Sequence, residues 1–359
     1  MAEYLITMRE YNEATDAYDI LYPNTVRENV KDLEDLGGAR IVVTIAGGTA
    51  GQVVNLSGTK IATAVTNASG VATFNSLQYG EYLVSTNLSG TTKTQNVTID
   101  ALKIYEVSII TLDSCSWAEI SNISARGDAA NLFSVGDVKS ITLNGTVGNT
   151  TFSNLSIDAY ILGINHNASV EGNNRIHFCI GKVGNRAVGL YDSQYSQYPM
   201  TTSGYFSMSY GDDNTNNGGW NGCYMRNSVM QWIKNILPSD LQNVLKTVTK
   251  YTDNTGGGTH HSSNVTATTE TICLEAEFEV HGFINSANSY EKNRQQQYDY
   301  YKNGNSKIRY KYNSTVAVRW WNRSPFNFAS NGFCEVGSDE GYGSTFSRFC
   351  AAIAPCFYV

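Results

Sequence analysis

The sequence predicts a multi-domain, mainly β chain with an α+β C-terminal domain, and three observations carry that prediction. Its 359 residues are enough for two or three domains with proper cores. Only 16% of them are charged, against roughly 25% in an ordinary soluble domain, so Gly, Asn, Ser, Thr and Tyr supply the polarity. Short apolar-alternating runs recur between glycine- and asparagine-rich turns from residue 39 onward, whereas helical spacing is confined to a few stretches.

Residues 1–38 read as an entry segment. Val26, Val30, Leu33 and Leu36 fall at helical spacing, and Gly37-Gly38 ends the run. So short a helix with a narrow apolar stripe needs a packing partner. Its own neighbouring domain or a three-fold contact between copies would each serve.

Residues 39–113 read as a seven-stranded β-sandwich. Ile41–Ile45, Ile61–Val65, Val71–Phe74, Glu81–Ser85 and Tyr105–Ile109 are strand-like, with turns at Gly47-Gly48, Asn67–Gly70, Tyr79-Gly80 and Ser89-Gly90.

Residues 114–359 form the third domain. Asn227–Leu237 and Ser239–Val248 each place apolar residues on one helical face, with Pro238 between them and Ser239 suited to cap the second. Gly256–Gly258 with His260-His261 reads as an exposed loop. A strand bearing Trp320-Trp321 must stop at Ser324-Pro325, because proline lacks a donor and extends the residue before it. An Asn/Ser/Phe/Gly-rich stretch and an apolar terminal strand follow. Alternation turns Trp320 toward the core with Val316 and Val318, and Trp321 toward the opposite face. Adaptable polar and aromatic side chains on a rigid aromatic base are the composition of a recognition surface. Its expected ligand-binding residues are Trp321, Asn322, Phe326, Asn327, Phe328, Asn331, Tyr342, Thr345, Phe346 and Arg348.

Charge and cysteine usage exclude several classes. A net charge of −7 argues against a nucleic-acid partner, which needs a basic face. No run of 18 apolar residues offers membrane insertion. The start, Met1–Met8, has neither the basic flank nor the apolar core of a secretory signal. Seven cysteines without a C-x-x-C pair read as reduced core thiols rather than a disulfide framework. Glu275, Glu277 and Glu279 would share one face of a strand, more readily solvated or ion-paired than catalytic. Asp213–Gly218 begins like a calcium loop, but Tyr224 stands where a bidentate Glu is required. No catalytic residue, metal or cofactor is expected, and the chain does not read as an enzyme.

Three segments resemble known families. Tyr18–Thr25 resembles the Leu-Tyr-Pro-x-Thr element near the start of phage tail-fibre proteins. Thr66-Asn-x-x-Gly-x-Ala-Thr-Phe74 with Leu77-x-x-Gly-x-Tyr82 resembles the immunoglobulin-like regulatory domain of carboxypeptidases, which is a spacer. Ser116-Trp117, Val135–Lys139, Ile161–His166, Gly219-Trp220, Met225-Arg226, Ile236–Leu241, Val248–Lys250, Glu275–Val280 and Arg323–Pro325 together resemble a C-type-lectin-like domain of unassigned function in gut-phage tail and surface proteins. The fold's formylglycine-generating oxidases use a cysteine pair for which only Cys350 and Cys356 could stand, and the surrounding pattern is missing. The calcium motif of sugar-binding C-type lectins is also missing. The resemblance implies a virion protein of a tail or fibre, made in the host cytoplasm and trimeric. Its expected partners are a host cell-surface receptor, glycan or protein, and other virion structural proteins. A capsid or baseplate decoration protein, or a bacterial surface adhesin, is the alternative. A binder should expose and cluster the residues from Trp321 to Arg348, and a scaffold should bury them.

Overall fold

A computed structural model describes residues 8–12, 17–21, 38–46, 48, 50–88, 91–191, 205–312 and 314–359. The helix expected over 26–36 lies outside the described residues. The chain divides into two compact units, Met1–Thr111 and Leu112–Val359.

In the first unit, Met8–Asn12 and Ala17–Leu21 pair as an antiparallel hairpin. The rest is built from two sheets. One runs Val71–Leu77, Ala39–Ile45, Ile104–Ile109, and the other Ala62–Val65, Val53–Gly58, Gly80–Leu88, Thr91–Ile99. Period-2 patterning explains the packing. Ala39, Ile41, Val43 and Ile45 point inward from one sheet, meeting Val54, Leu56, Tyr82 and Val84 of the other in a single core. The Asn67–Gly70 turn forms because the Asn67 carboxamide oxygen accepts from Ser69 N at 2.9 Å and Val71 N at 3.1 Å.

The second unit is mixed. Its largest sheet runs Val138–Val147, Thr150–Ile164, Ile176–Val183, Arg186–Gly189, Arg309–Lys311, Ala317–Val318. The terminal strand Cys356–Tyr358 pairs with both Ile176–Val183 and Ile272–Cys273. The helix Trp117–Arg126 buries Trp117, Ile120 and Ile123, and the Trp117 ring meets Phe178 and Phe357 edge-on at 5.4 and 5.7 Å. A capping box starts it: Ser116 Oγ accepts from Glu119 N, and Glu119 accepts from Ser116 N.

Three local expectations need correction. The helix expected over Asn227–Leu237 opens as a π turn, Met225–Val229, and continues as Met230–Asn235. The one expected over Ser239–Val248 closes after Ser239–Gln242, and Ser239 makes no side-chain cap. Its β-branched tail instead feeds the strand Val248–Asp253, which pairs with Val265–Glu270. Glu275–Glu279 is not a strand: Glu277–His281 is helical, and Glu279 Oε2 accepts from Ala276 N at 2.9 Å to start it.

Candidate recognition surface and the charge network behind it

Trp320–Pro325, Gly332–Val336 and Tyr342–Phe346 form an antiparallel three-stranded sheet. The first strand ends at Pro325, where the sequence places its stop. Trp320 is fully buried, as its alternation requires. Trp321 is fully buried too, which corrects its placement on a ligand face. Both sides of the strand are covered: Trp320 Nε1 donates to Lys307 O, and Trp321 Nε1 donates to Phe206 O at 3.1 Å. Asn322 and Asn327 are likewise buried, so neither offers the exposed contact expected of it. Asn327 is held inward by His260.

The remaining expected residues divide by exposure. Phe328 is 71% exposed, Tyr342 48% and Phe346 44%. Phe326, Asn331, Thr345 and Arg348 are half-buried. Tyr342 and Phe346 lie four residues apart on the edge strand and so share a face. The Tyr342 ring meets Phe283 edge-on at 5.5 Å, Phe346 meets Phe349 at 5.4 Å, and Phe326 meets Phe328 at 5.5 Å. The Arg348 guanidinium lies over Phe349 at 5.3 Å.

The turn that carries Phe328 is fixed from beneath. The buried Asn216 Nδ2 donates to the carbonyls of Phe326, Ala329 and Gly332 at 3.0, 2.9 and 2.8 Å. Asn216 N donates to Ser330 O at 2.7 Å, and Asn216 Oδ1 accepts from Gly257 N at 2.8 Å. Close approach explains the triple glycine here. A Cβ on Gly256 would lie 1.9 Å from Asn216 O, and its φ of +62° disfavours a side chain. Gly256 is therefore buried in the support of the turn, while His260 and His261 of the same loop are exposed.

Behind this sheet lies a network of fully buried charges. Arg323 donates to both carboxylate oxygens of Glu279, to Thr252 Oγ1 at 2.8 Å and to Leu274 O at 2.9 Å. Lys250 Nζ bridges Glu171 and Glu279 and donates to Tyr298 Oη at 3.0 Å. Burial alone would raise Glu279, but Arg323 and Lys250 override it and hold that carboxyl well below its ordinary value. Glu171 has Lys250 without a second full cation, and burial pushes it up to about 7. Burial also pushes Glu291 up to about 7, although its carboxylate accepts from Asp253 N and Ser324 Oγ. Glu277 satisfies its charge on the backbone N–H groups of Asn285, Ser286 and Ala287. The three alternating glutamates are thus ion-paired or hydrogen-bonded inside the protein, not on a solvated face.

Two groups among the described residues bring three potential metal ligands within 4.8 Å: His166, Glu171 and Glu279, and Cys179, Glu275 and Cys356. In each, a cation of the chain already sits among the acids. Lys250 fills the first. In the second, Arg309 Nη2 lies 3.3 Å from Cys179 Sγ and 3.4 Å from Glu275 Oε1. Burial would raise the Cys179 thiol, but Cys356 and Arg309 lower it to about 6. All seven cysteines are buried, and none is in a disulfide. The network has the residue types of acid–base chemistry, and its charged side chains are buried and paired with one another.

Sequence reasoning gave no structural role to Asn216, Lys250, Arg309 or Arg323, although Lys250 and Arg323 stand in two of the segments that carry the resemblance. One signal was present: Lys250 and Arg323 interrupt otherwise uncharged strand segments, Val248–Asp253 and Trp320–Pro325 apart from Asp253 itself. A cation at a buried strand position calls for a carboxylate across the core. Asn216 carries no such signal, because asparagine is common throughout the chain.

A search of curated proteins finds no match. Among solved structures, one titled "The Bacillus anthracis TIE protein" aligns over 41% of this chain and 28% of its own length, at 11% identity and a TM-score of 0.19. The chain thus spans under a third of that protein, and so slight a likeness carries no argument. Residues 198–359 match the model of a family described as "Domain of unknown function (DUF6273)".

Proposed function

We propose that the chain is a phage virion protein of a tail or fibre, whose C-terminal domain, residues 114–359, is C-type-lectin-like and binds a host cell-surface receptor. In this reading residues 1–38 attach or trimerise the protein, and the immunoglobulin-like β-sandwich is a spacer. One observation carries the binding role. Phe328 is 71% exposed at the tip of a turn whose backbone is fixed by the buried Asn216. An exposed aromatic costs solubility unless it has a partner, and a rigid mount reduces the entropy lost on binding. Phe346, Tyr342 and Phe283 extend the apolar surface. The burial of Trp321, Asn322 and Asn327 favours the second reading, a decoration protein in which this domain is scaffold. Host-cell binding by purified protein separates the two. Phe328→Ala and Tyr342→Ala should each weaken binding at least tenfold, with melting temperatures held. Undiminished binding by both variants would remove this surface from the function.

A further inference from the structure

A second polar feature lies beside the aromatic surface. Tyr251, Ser262, Val265, Tyr290, Asn293 and Arg294 line a groove of about 300 Å³. That is the lower end of the range for small-ligand sites, about 300–1,000 Å³. The Arg294 guanidinium stacks over the Tyr251 ring at 4.2 Å. Among the described residues it has no ion pair and donates no side-chain hydrogen bond, in a chain whose net charge is −7. Its neighbour Tyr290 is 41% exposed.

The walls of this groove are built from beneath by buried groups. Arg294 follows the 3₁₀ turn Ser289–Asn293, whose cap, Asn288, accepts from Tyr290 N and donates to Asp253 Oδ2 at 2.8 Å. Glu291 accepts from Asp253 N, and Gln295 Nε2 donates to Tyr251 O at 2.7 Å. Turn and strand are therefore locked together, and Arg294 is stacked rather than free to sweep. A guanidinium resting on an aromatic face keeps its N–H edge open, and that edge matches a carboxylate bidentately.

From this geometry we infer that the groove binds a carboxylated saccharide, with Arg294 gripping the carboxylate. The exposed Tyr290 ring packs on a sugar face, and Ser262 and Asn293 supply hydroxyl and amide partners. The volume suits one or two sugar rings better than an extended acidic peptide, which needs an open sheet edge or a longer channel. The groove joins the aromatic surface through His260, whose ring meets Tyr290 at 5.4 Å and whose Nδ1 contacts Asn327. The site is chemically independent of the receptor-binding reading, but its biological sense as a receptor contact rests on that reading.

Titration calorimetry with 3′-sialyllactose, digalacturonic acid and lactose tests the site. At least one carboxylated probe should bind at least tenfold more tightly than lactose. Arg294→Gln should weaken that probe at least tenfold while leaving the melting temperature unchanged, since Arg294 is exposed. Phe328→Ala should leave saccharide binding within twofold. Equal binding of lactose, no binding of either acid, or an unaltered Arg294→Gln variant would overturn the assignment. Binding of a poly-glutamate peptide in place of both acids would reassign the groove to proteins. Host binding lost in Phe328→Ala but kept in Arg294→Gln would preserve the receptor reading and detach this groove from it.

Discussion

Asn216 and Tyr342 lie at opposite ends of what one side chain can contribute. Replacing Asn216 by Ala strands the Phe326 and Ala329 carbonyls and the Gly257 N–H at once, while Gly332 O keeps its bond from Phe326 N. Buried groups left unsatisfied cost about 1–3 kcal/mol each, so Asn216→Ala should lose at least about 2 kcal/mol in denaturant unfolding. Tyr342→Ala, at an exposed position, should stay within about 0.5 kcal/mol. Similar losses for both would show that the turn is not held as described. Glu335 supplies a pH dependence. It is buried beside Arg319 on the central strand, and burial pushes it up to about 7 despite that cation. Its unfolded value is about 4.3, so the folded state binds the proton more tightly. The resulting stabilisation is complete below about pH 4.3 and lost as pH rises through about 7. Between pH 5 and pH 8 the melting temperature of Glu335→Gln should therefore improve relative to the parent protein. A gap that stays constant over that range would contradict the raised value.

At the scale of the element, local signals worked where one face decides the outcome. Alternation alone identifies Ala39–Ile45 and its inward residues. The Ser116 cap is also written locally, and Ser116→Ala should cost about 1 kcal/mol, with Ser116→Thr, which keeps the hydroxyl, recovering most of it. If alanine costs nothing, the capping box does not anchor this helix. Local signals failed where tertiary pairing overrides periodicity. Leu241, Val244, Leu245 and Val248 have helical spacing, yet Val248 is taken by the Val265–Glu270 strand. Glu275–Glu279 alternates like a strand but turns helical, because Arg323 and Lys250 arrive from elsewhere in the chain to receive Glu279. Trp321 fails for the same reason: strand alternation states which side a residue faces, not what covers that side.

At the scale of the molecule, mainly β architecture was legible from composition and turn spacing. The split at Thr111–Leu112 falls two residues before the expected start of the third domain. The charge network was not legible, because its members come from five separate stretches and meet only in three dimensions. Seven buried thiols, none of them in a disulfide, give a measurable consequence. A reductant should leave the melting temperature nearly unchanged, whereas reduction of a native disulfide would lower it by several degrees. A large drop would show that covalent links hold the fold.

The grip of Asn216 falls on carbonyl oxygens, which every residue possesses. The path of the turn from Phe326 to Gly332 is therefore indifferent to what stands at its tip. Phe328 and Ser330 are exposed, so exchanging their side chains leaves the hydrogen bonds from Asn216 in place, which makes this stretch a natural site for a randomised library. New specificities could be selected there without redesigning the protein beneath.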